Sequence, residues 1–213
     1  MRILNITFLF IYSLLLSNAL VQEGKSESTF DQSMQEFLEK HRNEWWDMNI
    51  SAGDGKVLYN VIIDNKYTRA LEIGTSTGHS AIWIAWALSK TGGKLITIEI
   101  NETRYIKALE NFEKAGLDSF IDARLANAHD LVPQLEGPFD FIFVDADKQG
   151  YVQYLKWLLP KMVPGGCFAA HNVSNTYMDG IPEFLDYLYQ STELETTVVK
   201  SSSSGISISF LQN

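Results

Sequence analysis

The chain has 213 residues, of which 46% are hydrophobic and 20% charged. That is enough apolar content for one well-packed core, and no linker is long enough to separate two domains. Its 17 basic and 26 acidic residues give a formal net charge of -9 with no local cluster of Lys and Arg. Such a surface repels phosphate backbones and anionic lipid, which argues against nucleic acid as a partner.

The first residues are set apart. Arg2 precedes an almost uncharged stretch from Ile3 to Leu16, and Ser17-Asn18-Ala19 follows as a small-x-small cleavage pattern. Residues 1–21 are therefore expected to be a signal peptide, or an uncleaved N-terminal anchor if the apolar run is read through to Val21. Export or N-terminal membrane anchoring follows from either reading, and a cytoplasmic location from a segment without function. Residues 22–30 read as a polar spacer and 31–213 as the folded domain.

From Asp31 to Trp46, apolar residues recur at helical spacing (Met34, Phe37, Leu38, Trp45), and Val57 to Ile63 predicts a second, short helix. Strand-like and helix-like stretches then alternate. Ala70–Ile73 precedes Ser80–Leu88, Leu95–Glu99 precedes Thr103–Ala115, and Ile121–Leu125 precedes a short helix near Leu131. Next come Phe139–Val144 with Tyr151–Leu159, Cys167–Ala170 with Ile181–Tyr189, and last Leu194–Val199 with Ile206–Phe210. Alternation of this kind predicts an α/β, Rossmann-like, doubly wound sheet of seven mostly parallel strands. Only Lys200 to Gly205 separate the last two strands, too few for a crossover helix, so they are expected to pair as a C-terminal antiparallel hairpin. Cys167, the only cysteine, lies in an apolar run and reads as a buried thiol.

In a doubly wound sheet the ligand lies beyond the carboxyl ends of the strands, at the first strand-to-helix turn. Glu72-Ile73-Gly74-Thr75-Ser76-Thr77-Gly78 occupies that place, with Gly74 and Gly78 permitting a sharp turn and close approach to a ligand. Glu99, 27 positions after Glu72, ends the second strand where a carboxylate can accept from both ribose hydroxyls. The turn lacks the G-x-G-x-x-G of a pyrophosphate site, and Glu72 would repel a diphosphate. An adenosine carrying a sulfonium and an amino-acid tail suits the acidic turn better, because Glu72 can attract the tail's ammonium. S-adenosylmethionine is thus favoured over a nicotinamide dinucleotide.

Four stretches, Met48-Asn49-Ile50-Ser51-Ala52, Leu71 to Ser80, Ile96-Thr97-Ile98-Glu99 and Phe143-Val144-Asp145-Ala146-Asp147-Lys148, occur in an order that resembles the cation-dependent O-methyltransferases. This family includes the catechol and caffeoyl-CoA O-methyltransferases, and the likeness runs from about Glu44 to the C-terminus. It implies a class I methyltransferase that transfers a methyl group to a hydroxyl of a small catechol-like aromatic acceptor. It further implies cofactor contacts by Ile50, Glu72, Gly74, Ser80, Glu99, Ala128 and Asp147, and a homodimer.

The resemblance also implies a divalent cation, held by Asp145 after the fourth strand and by an adjacent Asp-Asn pair after the fifth, where this chain has His171 and Asn172. Such an ion lowers the pKa of a phenol-like hydroxyl and fixes its oxygen in line with the methyl group. Lys148 matches the family's proposed general base. An imidazole in place of a carboxylate removes a negative charge and favours transition metals over Mg²⁺. Three readings of His171 stay open: a ligand in a retuned metal site, a general base without metal, or a mark of lost catalysis. The last would leave an exported small-molecule binding protein on the same fold. His79 and His129 read as packing or solvated residues, Trp45 and Trp46 as candidates for the acceptor's entrance, and Tyr177, Met178 and Asp179 as candidates for shaping its pocket.

Overall fold

The computed structural model describes residues 29–212, so the expected leader and residues 22–28 of the spacer lie outside the described residues. The chain divides into two compact units, residues 1–44 and 45–213. In the first, residues 29–40 are helical (α1) and residues 41–44 form turns, with Arg42 N–H bonded to the Glu39 carbonyl and Glu44 N–H to that of His41. The helix therefore stops short of the expected Trp46. Residues from Trp45 onward are recruited instead by side chains of the second unit, as described below.

The second unit begins with α2 (Ala52–Asn65), which is longer than the predicted Val57–Ile63. Ser51 caps it by accepting from Asp54 N–H, and two glycines in its first turn hide the start from periodicity. Gly55 has a packing reason: a Cβ there would lie 2.3 Å from the Trp83 ring, so α2 approaches the next helix closely only because that side chain is missing. The alternation then unfolds as β1 (Arg69–Ile73), α3 (His79–Thr91), β2 (Lys94–Glu99), α4 (Glu102–Ala115), β3 (Ile121–Leu125) and α5 (Ala128–Leu131). It closes with β4 (Phe139–Val144), α6 (Tyr151–Leu158), β5 (Met162–His171), α7 (Ile181–Gln190), β6 (Leu194–Val199) and β7 (Ile206–Leu211). β5 starts five residues before the predicted Cys167, because Pro164-Gly165-Gly166 reads as a turn while a register shift against β4 accommodates it.

The seven strands lie in the order β3-β2-β1-β4-β5-β7-β6. β1 to β5 are parallel, and β7 runs antiparallel to both β5 and β6, as the short connection required. β1 and β4 sit centrally and are buried almost throughout, consistent with their unbroken apolar runs. One face, carrying Leu71, Ile73, Ile142, Val144, Phe168 and Ala170, packs with Tyr151, Leu155 and Leu158 of α6 and Ile181, Phe184 and Leu188 of α7. By alternation Glu72, Thr97 and Phe143 point to the opposite face. Chain order reverses between β1 and β4, so the carboxyl ends of these two strands flank the switch point. Among the described residues no helix is long and apolar enough to cross a membrane.

Candidate active site

The turn after β1 is built around its glycines. Gly74 has φ +100°, and a Cβ there would meet the Asp145 carbonyl oxygen at 2.5 Å, because the ends of β1 and β4 are in contact at this point. Gly74 and Thr75 N–H both bond to the Ile98 carbonyl, and Asp145 N–H bonds to that of Ile73, which ties the ends of three strands together. Gly78, at φ +99°, leaves room for the Phe112 ring of α4.

Residues 45–51 form a strap over this turn. Ser76 Oγ donates to the Asp47 carbonyl at 2.6 Å, and Asn49 Nδ2 donates to Thr77 Oγ1 at 2.7 Å. Arg104 of α4 holds the Asp47 carboxylate with two hydrogen bonds, at 2.9 and 3.1 Å. His79 is part of the same assembly: its Nδ1 donates to the Ile50 carbonyl, its Nε2 accepts from Trp83 Nε1, and its ring stacks on Trp45 at 4.6 Å. Burial pulls its pKa down to about 4 against the bond to Ile50, so at neutral pH it is an uncharged packing residue.

Beside the turn lies a cavity of about 440 Å³ whose wall includes Met48, Gly74, Glu99, Ala128, Asp145 and Asp147. Glu99 accepts one backbone N–H on each carboxylate oxygen, from Ser76 at 2.7 Å and Asn101 at 2.8 Å, which fixes its orientation and leaves lone pairs for a ligand. Asp147 accepts from Tyr154 Oη at 2.7 Å and pairs with His129 Nε2 at 3.0 Å. Glu72 lies behind the turn and is fully buried. Thr97 Oγ1 donates to its Oε2, whereas Oε1 has no hydrogen-bond partner among the described residues. Burial pushes its carboxyl up to about 7, with the hydroxyls of Ser80 and Thr97 acting the other way.

These residues fit S-adenosylmethionine. A buried, unpartnered carboxylate oxygen suits the ammonium of the tail, the missing side chain at Gly74 keeps the turn open, and Glu99 presents oriented lone pairs to a ribose.

A second cluster adjoins the cavity through Asp145. Lys148 Nζ donates to Asp145 Oδ1 at 2.7 Å and to the Ala146 carbonyl at 3.0 Å. His171, at the end of β5, faces Asp145 Oδ2 with Nδ1 at 2.9 Å and Asp54 Oδ2 with Nε2 at 3.2 Å. A carboxylate on each nitrogen favours the doubly protonated ring, which can donate to both. Burial opposes that charge, but the bonds to Asp145 and Asp54 outweigh it and raise the histidine's pKa. Asp54 is itself anchored by Ser51 Oγ at 2.8 Å and by Ser201 Oγ. Burial would raise its pKa, yet the hydroxyls of Ser201, Ser202 and Ser51 together with His171 hold it below the ordinary carboxylate value.

A divalent cation does not fit this donor set. The ring of His171 turns one nitrogen to Asp145 and the other to Asp54 and so offers neither to a shared ion, while the Lys148 ammonium already sits 2.7 Å from Asp145 Oδ1, where it opposes a second cation. Among the described residues no group of three or more His, Cys, Asp or Glu side chains is placed to hold a metal ion.

Of the residues named from the sequence, Gly74, Glu99, Ala128, Asp145 and Asp147 reach the cavity wall. Ile50, Glu72 and Ser80 are buried and do not line it, and Lys148 and His171 meet at Asp145 without lining the cavity. The turn around Ser76 reaches the wall as expected, whereas Arg104, Asn127 and Tyr154 escaped sequence reasoning, although Asn127 was readable as the cap that accepts from His129 N–H at the start of α5. Asp54 was missed altogether.

Comparison with known proteins agrees with this geometry. The O-methyltransferase family model matches residues 23–180. The chain is 40% identical over 130 residues to a catechol O-methyltransferase of Niastella koreensis, a match covering 59% of this chain and 58% of that protein. It is 34% identical over 171 residues to caffeoyl-CoA O-methyltransferase 1 of Eucalyptus globulus, covering 75% and 68% respectively. An O-methyltransferase from Bacillus cereus, solved in complex with SAH, superposes with a TM-score of 0.73 at 28% identity, covering 85% of this chain and 91% of that one. On the sheet order, the glycine turn and these matches together, the chain belongs to the O-methyltransferase family that includes the catechol and caffeoyl-CoA enzymes.

Proposed function

We propose that this protein is an S-adenosylmethionine-dependent O-methyltransferase acting on a hydroxyl of a small, catechol-like aromatic acceptor. The observation that carries the reading is one cavity walled by Gly74, Glu99 and Asp145 at the switch point, on the same strand-to-helix turn as Glu72, whose buried Oε1 has no hydrogen-bond partner among the described residues. When bound, S-adenosylmethionine supplies a methyl group on a sulfonium, and the sulfur leaves as the neutral thioether of SAH when an oxygen attacks the carbon. Glu72 holds the ammonium of the tail, and Glu99 the ribose.

The aromatic acceptor is supported by two loops at the carboxyl edge of the sheet. The strap carries Trp46 and Met48, and the loop after β5 carries Tyr177, all three strongly exposed. The second loop is held against the site at Gly180, where a Cβ would meet the Lys148 carbonyl oxygen at 2.4 Å.

Asp145 lies between the cavity and the charged cluster. It accepts the hydrogen bond of the acceptor hydroxyl and aims the oxygen at the methyl carbon. An oxygen that has begun to bond to carbon while still carrying its proton is strongly acidic, so a carboxylate suffices to take that proton late in the step. Lys148 and His171 donate to the two oxygens of Asp145 and hold it in place.

Calorimetric titration of the purified protein with S-adenosylhomocysteine tests the cofactor reading, and absence of binding would sink it. Asp145→Ala is expected to lower kcat for catechol methylation by about 100-fold or more, measured by chromatography of the methylated product. Full activity in that variant would remove Asp145 from the mechanism.

A further inference from the structure

We propose that methyl transfer by this protein is independent of any divalent cation, the His171 ring being tied to Asp145 and Asp54 at the position where the resemblance implies a carboxylate ligand. The catalytic arm of this inference rests on the methyltransferase reading above; its binding arm does not.

The case rests on who holds what. Four separate segments converge: Asp54 from the first turn of α2, Asp145 after β4, His171 from the end of β5, and Ser201 from the loop between β6 and β7. Asp54 is fixed without help from the histidine, since Ser51 both caps α2 and donates to the Asp54 carboxylate. Its place in the first turn also sets its negative charge against the positive end of the helix. His171 is 4% exposed and has a carboxylate on each side of its ring. An entering ion would have to break the Asp145–His171 or Asp145–Lys148 bond and then sit beside the Lys148 ammonium in a largely buried site, against like-charge repulsion.

The chemistry tolerates the exchange. An ion's task in such a site is to acidify the hydroxyl and to orient it. Late proton loss to Asp145 removes the need for the first, and the Lys148–Asp145–His171–Asp54 chain supplies the second. His171 and Asp54 are positioning residues in this scheme, acting through Asp145. The pair between them bridges 117 positions of sequence, which is why an inspection of local motifs presents His171 as an isolated departure.

The test is cation binding to the full chain saturated with S-adenosylhomocysteine, titrated with Mg²⁺, Mn²⁺, Ni²⁺ and Zn²⁺ and read by calorimetry and, for Mn²⁺, by electron paramagnetic resonance. The expected result is no stoichiometric binding by the wild type. His171→Asp, which removes the bridging ring and adds a carboxylate, is expected to bind Mn²⁺ at least about tenfold more tightly than the wild type. Stoichiometric binding by the wild type overturns the proposal, as does a folded His171→Asp protein that binds no better. If the variant fails to fold, as judged by S-adenosylhomocysteine binding, the wild type decides alone. Catechol methylation unchanged by a chelator supports the proposal, and loss of activity restored by an added metal refutes it. A wild type that binds neither S-adenosylhomocysteine nor metal would refute the methyltransferase reading while leaving the cation result standing.

Discussion

Glu72 shows what burial does to one side chain. Its carboxyl moves from 4.5 to about 7, chiefly through loss of water. The sign of the linkage follows: the folded state holds the proton more tightly than the unfolded chain. This group's contribution to stability is therefore complete below about pH 4.5 and is lost as pH rises through about 7 in the ligand-free protein. An ammonium beside Oε1 reverses the preference and favours the ionised form. Binding of S-adenosylhomocysteine near pH 6 is thus expected to release protons, measured by calorimetry in buffers of different ionisation enthalpy. Glu72→Gln should abolish the release, and an unchanged release in that variant would assign the proton elsewhere. Glu72 and Glu99 were both legible in the sequence, because one lies next to the end of its strand and the other ends its strand, each beside a recognisable turn. Asp54 was not, since nothing local distinguishes a capping-box acidic residue at a helix start from one that reaches a histidine on another strand.

At the scale of elements, the strap and the turn form one unit. Gly74→Ala would place a methyl group against the Asp145 carbonyl and hold a non-glycine residue at φ +100°. Strain of this kind costs about 1–3 kcal/mol and is relieved only by moving the turn. The expected outcome is a fall in S-adenosylhomocysteine affinity of about tenfold or more, read by calorimetry. Unchanged affinity would mean that the turn is not a binding element. Element boundaries were the less legible part of the sequence. α1 was read through to Trp46 because Trp45 keeps helical spacing, whereas its neighbour Asp47 is claimed by Ser76 and Arg104. The starts of α2 and β5 were hidden by glycines whose reasons are tertiary, a ring against Gly55 and a shifted register near Gly165 and Gly166.

At the scale of the whole molecule, stability rests on the central strands. Phe141 of β4 is fully buried between β1 and β5, with its ring 6.1 Å from that of Tyr67. Phe141→Ala is expected to cost about 3–5 kcal/mol, seen as a lowered denaturation midpoint. Since Phe141 does not line the cofactor cavity, the folded fraction should bind S-adenosylhomocysteine as before. A loss of less than about 1 kcal/mol would show that the core relaxes around the missing ring.

The sequence by itself determined the class of the molecule. Strand and helix periods, the six residues between the last strands and the glycine turn after β1 specify a mostly parallel seven-stranded sheet with its ligand at one edge, since each is a local consequence of backbone geometry. The tertiary structure decided what the unusual histidine touches. Whether His171 faces a vacant ligand sphere or two carboxylates depends on α2, β4 and β5 meeting at one point, and no spacing within any one of them encodes that meeting.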